Sequence, residues 1–320
     1  MRHAALLALL MLVHRCGGER PSITALASQP ACEGDSECQS NFYDKVYAEK
    51  GRRYSGNLFG WEVGLMTNVL LCRALWSDRE AADSVSVIDA GAGQGAMVDW
   101  LRRVSEGGIV WDGRGFVIAV EPVGIELSGV AVDSSPWPEL KRDGALVNGS
   151  LDAIPWPDRH LDLVWSTEVL EHIPDSLLPA VARELSRVAK DAIVMTISLR
   201  LAGADRPARP HLHIACHPRA WWDDLWAEAG CVPHLEVLGY LWRETLSGPE
   251  FPFRPFDEPW IFAYSCGDSR ERARAELASM RLPFSATIHD SQVVDGGDGW
   301  AYYFGSPEYY HYTQDCGTGM

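Results

Sequence analysis

The stretch at 85–95 constrains this chain more than any other. Residues 85–90 (VSVIDA) are a short apolar run ending in an acid at Asp89, which suits a buried parallel strand. Gly91, Gly93 and Gly95 follow at alternate positions, and a helical pattern runs from 96 to 104. Glycine lets the backbone take positive φ and lets a ligand come close. The helix behind such a turn directs its first amide N–H groups at whatever anionic group sits there. A glycine turn between a strand and a helix is the ligand-binding end of an alternating α/β sheet.

The rest of the chain keeps the alternation. Residues 116–121 (FVIAVE) repeat the strand-then-acid pattern, and 145–151, 161–166 and 192–198 read as further strands. Residues 176–190 form an amphipathic helix, with Leu177, Leu178, Val181, Leu185 and Val188 on one face and Asp175 as its N-cap. A helix at 219–229, ending at Gly230, precedes strands at 232–242 and 261–266. The order predicts a doubly wound, Rossmann-like, seven-stranded α/β sheet with a terminal antiparallel hairpin. Helical patterns from 41 and from 61 form an N-terminal cap. We divide the chain into a targeting segment (1–27), a linker and helical cap (28–80), a catalytic domain (81–267), and a C-terminal helix with an irregular tail (268–320).

An acid ending the second strand can accept hydrogen bonds from both hydroxyls of a ribose, and Glu121 is the residue this reading selects. Its distance from Asp89, 121 − 89 = 32, exceeds the usual spacing of about 20. An inserted turn at 106–114 accounts for the excess.

These residues together resemble the class I S-adenosylmethionine-dependent methyltransferases. Asp89-x-Gly91-x-Gly93-x-Gly95 is similar to that family's first motif, whereas a dinucleotide fingerprint would need glycine where Ala96 stands. Residues 149–158 (GSLDAIPWPD) resemble the stretch around the adenine. Residues 161–164 (LDLV) and 168–174 (EVLEHIP) resemble the fourth strand and its turn. The resemblance implies that Asp89 and the glycines hold the methionine end of S-adenosylmethionine, Glu121 the ribose and Leu151 the adenine. Glu168 also borders the cofactor on this reading. Ser150 stands where the family has Asp, and a hydroxyl accepts the adenine amino bond more weakly than a carboxylate.

Methyl transfer mainly requires alignment, and an oxygen acceptor also loses a proton. The candidate bases are His172 after the fourth strand and His211 and His213 after the fifth. Glu168, Glu171, His172 and His213 also form a possible divalent-cation set, similar to that of small-RNA 2′-O-methyltransferases and some quinone-pathway O-methyltransferases. The same turn serves metal-free relatives as a pocket wall. Tyr43 and Tyr47 read either as a cap over the cofactor or as helix packing. Trp221, Trp222 and Trp226 read as core, with a stacking platform as the alternative. Arg200, Arg206 and Arg209 read as solvated charges or as an anion site.

Charge decides between partners. With 28 Lys and Arg against 44 Asp and Glu, the net charge is −16, which opposes nucleic acid and anionic lipid. The expected acceptor is a small molecule or a glycan hydroxyl. A metal-assisted nucleic-acid 2′-O-methyltransferase and a non-catalytic cofactor-binding scaffold are the alternatives. Arg2 and His3 precede ten apolar residues (4–13), too few to span a bilayer and fitting a secretory signal cleaved after Gly18 or Ala27. That points to the secretory lumen or exterior, the alternative being a cytoplasmic or organellar protein. Cys32 and Cys38 are placed to pair, whereas Cys72, Cys231 and Cys266 read as small core residues. Asn148-Gly149-Ser150 is a glycosylation sequon inside the expected cofactor turn.

Overall fold

The computed structural model describes residues 35–50, 58, 60–76, 84–107, 109–111, 116–198, 213–215, 217, 219–246, 261–267 and 275. The targeting segment, His211, Cys32, the three loop arginines and all of the tail except residue 275 lie outside these residues. Two helices come first, α1 (Ser36–Lys50) and α2 (Gly60–Leu71), then the short α3 (Arg73–Trp76). Strand β1 (Ser84–Ala90) leads through the glycine turn into α4 (Ala96–Gly107). Next are β2 (Ile109–Trp111), β3 (Phe116–Glu126), two short helices α5 (Gly129–Asp133) and α6 (Pro138–Arg142), and β4 (Leu146–Asn148). Strand β5 (Leu161–Thr167) and a 3-10 turn (Leu170–His172) precede α7 (Leu178–Val188), β6 (Ala189–Thr196) and α8 (Arg219–Glu228). The last elements are β7 (Cys231–Pro233), α9 (Leu235–Leu246) and β8 (Ile261–Cys266).

The sheet order is β4-β3-β1-β5-β6-β8-β7, and β2 adds an antiparallel stub to the start of β3. β8 runs antiparallel to β6 and β7, while the β3–β4, β1–β3, β1–β5 and β5–β6 pairs are parallel. Side chains alternate between two cores, as period 2 requires. Val85, Val87, Leu163, Trp165 and Val194 face α2, α4 and α9. Ile88, Val164, Ile193, Met195 and Phe262 face α7 and α8. Helix α7 buries Leu178, Val181, Leu185 and Val188 there, worth about 1.5–3 kcal/mol for each full burial of such a side chain.

Several local expectations change. Strand β3 continues five residues past Glu121. Pro122 conceals this in the sequence, because proline donates no ladder bond. In the fold it removes nothing: the N–H direction at 122 faces the open edge of β3, between the residues paired to β2 and to β4. On that same edge the N–H of Val120 donates to Ser105 Oγ (3.0 Å) and that of Gly124 to the Ala145 carbonyl (2.7 Å). The segment 232–242 is the end of the three-residue strand β7 and then most of helix α9. Asp175 does not cap α7, whose N-cap is Leu177; its carboxylate instead meets His217 Nε2 at 2.8 Å. Cys231 and Cys266 sit opposite each other in the β7–β8 register and form a disulfide, and Cys38 is also disulfide-bonded. Cys72 is buried and forms no disulfide, as a core residue should be. Among the described residues no helix is long and apolar enough to cross a membrane.

Candidate functional site

A cleft of about 390 Å³ opens at the carboxyl ends of β1, β3 and β5. Its floor is the glycine turn. Gly91, Gly93 and Gly95 have φ of 88°, 55° and 87°, values that favour glycine. Gly91 has a second reason to lack a side chain, since a Cβ there would overlap the γ-methyls of Val169. Four amides of this turn are taken within the protein and are not free for a bound anion. Those of Gly91 and Ala92 donate to the Ile125 carbonyl (2.9 and 3.0 Å), that of Gly93 to Glu126 Oε2 (2.8 Å), and that of Gly95 to the Ala92 carbonyl (2.9 Å). A phosphate cradle needs such groups free; this floor is built for close approach.

The acid over the floor is Glu126, not Glu121. Glu121 lies mid-strand opposite Ser86, is exposed, and borders a separate groove at the other end of the sheet. Glu126 is buried at the end of β3, 37 positions after Asp89 (126 − 89). Its second oxygen accepts the Ser128 N–H (2.9 Å), so it ties the glycine turn to the start of α5. Burial raises its carboxyl above the usual range, and the Ser128 and Gly93 bonds counteract part of that. A carboxylate accepts about four hydrogen bonds, so capacity remains toward the cleft. The signal was present in the sequence: residues 123–126 (VGIE) repeat the apolar run ending in an acid.

Asp89, Ser150, Leu151 and Glu168 all line the same cleft. Asp89 is 5% exposed, and among the described residues no donor reaches its side chain. Its pKa is raised to about 8, first by burial, then by the charges of Glu62 and Glu126. Glu168 holds φ at 54°, an uncommon conformation for a residue with a side chain. Its N–H donates to the Thr196 carbonyl (3.1 Å), and its Oε1 accepts from Thr196 Oγ1 (3.1 Å). Sequence reasoning missed Gln39 and Glu62, which also line the cleft and come from the cap helices, where no motif marks them. Asp152 lines it too and stands inside the 149–158 stretch, where the resemblance marks only Ser150 and Leu151.

Helix α1 is fastened over this cleft along one stripe. Ser36 Oγ donates to Asp152 Oδ2 (3.1 Å), Gln39 Nε2 to the His172 carbonyl (3.1 Å), and Ser40 Oγ to the Leu127 carbonyl (3.2 Å). Asp44 Oδ1 accepts both Ser128 Oγ (2.6 Å) and the Val130 N–H (3.1 Å), capping α5 from outside. Tyr43 and Tyr47, spaced one turn apart, consequently face the cleft.

The acid and histidine set divides. His172 and His213 line the cleft, their rings in edge contact at 4.8 Å, with Tyr43 edge-on to His172 at 6.3 Å. Glu171 is fully buried behind them. It accepts the Ser198 N–H (3.0 Å), while its carbonyl takes the amides of Ile214 and Ala215. That pairing brings the loop after β6 to the turn after β5. Burial and then the charge of Glu168 push the Glu171 carboxyl well above its ordinary value. Ligand atoms of Glu171, His172 and His213 lie within 4.8 Å of one another, so three of the four expected metal ligands converge. Trp222 and Trp226 are fully buried core residues, and Trp221 stacks on His217 at 3.7 Å. The sequon is in use structurally: Asn148 Nδ2 donates to the Glu126 and Leu127 carbonyls (3.0 and 2.9 Å).

Comparison with known proteins adds one decisive match. The family model for the methyltransferase domain covers residues 64–242, more than half of the chain. The chain belongs to the methyltransferase domain family. No curated protein matches it. Among solved structures, the methyltransferase is similar to a TehB-like SAM-dependent methyltransferase from Corynebacterium glutamicum, at 13% identity and TM-score 0.42, covering 70% of this chain and 98% of that one. It is also similar to phosphoethanolamine N-methyltransferase 2 from Haemonchus contortus, solved with S-adenosyl-L-methionine, at 11% identity and TM-score 0.42, covering 71% and 60%. The [4+2]-cyclase SpnF gives 16% identity and TM-score 0.43, covering 78% and 100%. Likenesses this distant say nothing of substrate, and the family match alone carries the assignment.

Proposed function

We propose that this methyltransferase moves the methyl group of S-adenosylmethionine to a hydroxyl of a small molecule or glycan. One observation carries the reading: the nucleoside-sized cleft is floored by amides already occupied within the protein and walled by buried carboxylates. Such a wall repels phosphate and suits a ligand bearing positive charge. Glu126 is placed to accept the ribose hydroxyls, and Ser150 and Leu151 border the adenine end. When bound, the cofactor would supply an electrophilic methyl carbon on its sulfonium, for bonding to the acceptor oxygen with S-adenosylhomocysteine as the leaving group. Tyr43, Tyr47 and α1 exclude water from above. His213 or His172 takes the proton of the acceptor hydroxyl at an imidazole nitrogen and returns it to solvent.

A second reading is favoured by the convergence of Glu171, His172 and His213. A divalent cation there would hold and acidify the hydroxyl, and the histidines would be ligands and not bases. Incubating the full chain with methyl-labelled S-adenosylmethionine and metabolite or glycan pools tests the proposal. Label in a neutral hydroxyl compound supports it, and label only in RNA overturns it. Loss of turnover on chelation, restored by added cation, selects the metal reading. The three disulfide-bonded cysteines, Cys38, Cys231 and Cys266, and the signal-like start support an oxidising, secretory location.

A further inference from the structure

We propose that Asp175 and His217 are positioning residues that hold the rings of His172 and His213 together on the acceptor side of the cleft. The inference rests on the hydroxyl-acceptor reading above. It holds whether the two histidines act as bases or as cation ligands, since either role needs both rings near one acceptor atom. His172 belongs to the turn after β5 and His213 to the loop after β6, yet their ring centroids lie 4.8 Å apart. Two ties join the segments that carry them. One is main-chain: the amides of Ile214 and Ala215 donate to the Glu171 carbonyl (2.8 and 3.0 Å). The other is a side-chain bond between His217 Nε2 and Asp175 Oδ1 at 2.8 Å. An ionised carboxylate only accepts, so the imidazole donates.

A single tie is a pivot, whereas two make a frame. The main-chain tie joins 171 to 214, one position from each histidine, and fixes a point without fixing the angle between the segments. The second tie lies four residues further along one segment (175 − 171) and three along the other (217 − 214), so it sets that angle. Its far end is firmly seated. The His217 ring stacks on Trp221 at 3.7 Å, and α8, which carries Trp221, is anchored by the fully buried Trp222 and Trp226. Its near end is diverted from another use. The N-cap of α7 is Leu177, which makes no side-chain capping bond, while the Asp175 carboxylate just before it turns to His217. The Asp175 side chain is 56% exposed and that of His217 22%, and a pair this open adds little to stability. Its effect is on where His213 stands relative to His172.

Nuclear magnetic resonance on the full chain with ring-labelled histidine tests this, the two rings being identified with His172→Gln and His213→Gln. Wild type should show a through-space cross-peak between the His172 and His213 rings. Asp175→Ala removes the acceptor, and His217→Phe keeps a ring on Trp221 but removes the donor, so each should lose the cross-peak. Asp175→Asn, whose amide oxygen still accepts, should keep it. All three variants should bind S-adenosylhomocysteine in calorimetry as wild type does, because the tie lies outside the cofactor's part of the cleft. A cross-peak that is absent from wild type, or that survives both Asp175→Ala and His217→Phe, overturns the proposal. So does its loss together with loss of S-adenosylhomocysteine affinity, which would mean that the whole cleft is disturbed. A wild type that shows the cross-peak but binds no S-adenosylhomocysteine refutes the cofactor reading instead, and the two failures are thereby distinct.

Discussion

Replacing Asp89 by Asn removes a charge that the empty fold holds at a cost. Burial, then Glu62 and Glu126, lift this carboxyl from 3.8 to about 8. The folded chain therefore binds the proton more tightly than the unfolded chain does. Stability from that proton is complete below the unfolded value and is lost as pH rises through about 8. At about 1.4 kcal/mol per pH unit, ionising the group in the fold has a ceiling of about 6 kcal/mol. Water entering the open cleft lowers this to several kcal/mol. Urea unfolding of both proteins without ligand, at about pH 5 and about pH 9, reads the difference. The Asn variant should gain about 2–4 kcal/mol on wild type between the two conditions, whatever its packing does at either one. The comparison across pH cancels any pH-independent effect of the amide. A stability difference that is the same at both pH values, or that favours Asp at high pH, would refute the reasoning. Binding should move the other way: without the carboxylate, S-adenosylmethionine affinity falls.

Other outcomes follow from the same geometry. Glu126→Gln should weaken S-adenosylmethionine by about 1–3 kcal/mol in calorimetry, while Glu121→Gln leaves it unchanged; the reverse result would restore Glu121 as the ribose acid. Gly91→Ala should lower the unfolding free energy by about 1–3 kcal/mol, through its positive φ and the overlap with Val169. A urea midpoint equal to wild type would show that the turn relaxes freely. Asp44→Ala removes the acceptor for Ser128 Oγ and the Val130 N–H, so about 1 kcal/mol of helix-capping stabilisation is lost and cofactor dissociation quickens. Stopped-flow rates unaffected by that change would separate α1 from the cleft.

Much of the fold is legible residue by residue. The strands around Val87, Val164 and Val194 are apolar because both sheet faces are covered, and helix α7 shows its buried stripe in its spacing. The segment after Cys231 misleads, because its apolar residues Val237, Leu238 and Leu241 suit a strand as well as a helix buried on one side. Pro122 misleads in the opposite sense: its missing N–H looks prohibitive until the open edge of β3 is seen. The disulfide between Cys231 and Cys266 depends on two strands meeting across 35 residues, which spacing alone does not reveal.

The chain by itself determined the alternating architecture, the glycine turn and the acid at its entrance, because these follow from local periodicity and from what glycine alone permits. Tertiary structure decided which distant groups share the cleft. Glu126 displaced Glu121 because strand length depends on neighbouring strands. Glu62 and Gln39 reached the site because helix docking depends on a core assembled from the whole domain. His172 and His213 met because the amides of Ile214 and Ala215 found the Glu171 carbonyl, a bond between turns that follow two separate strands.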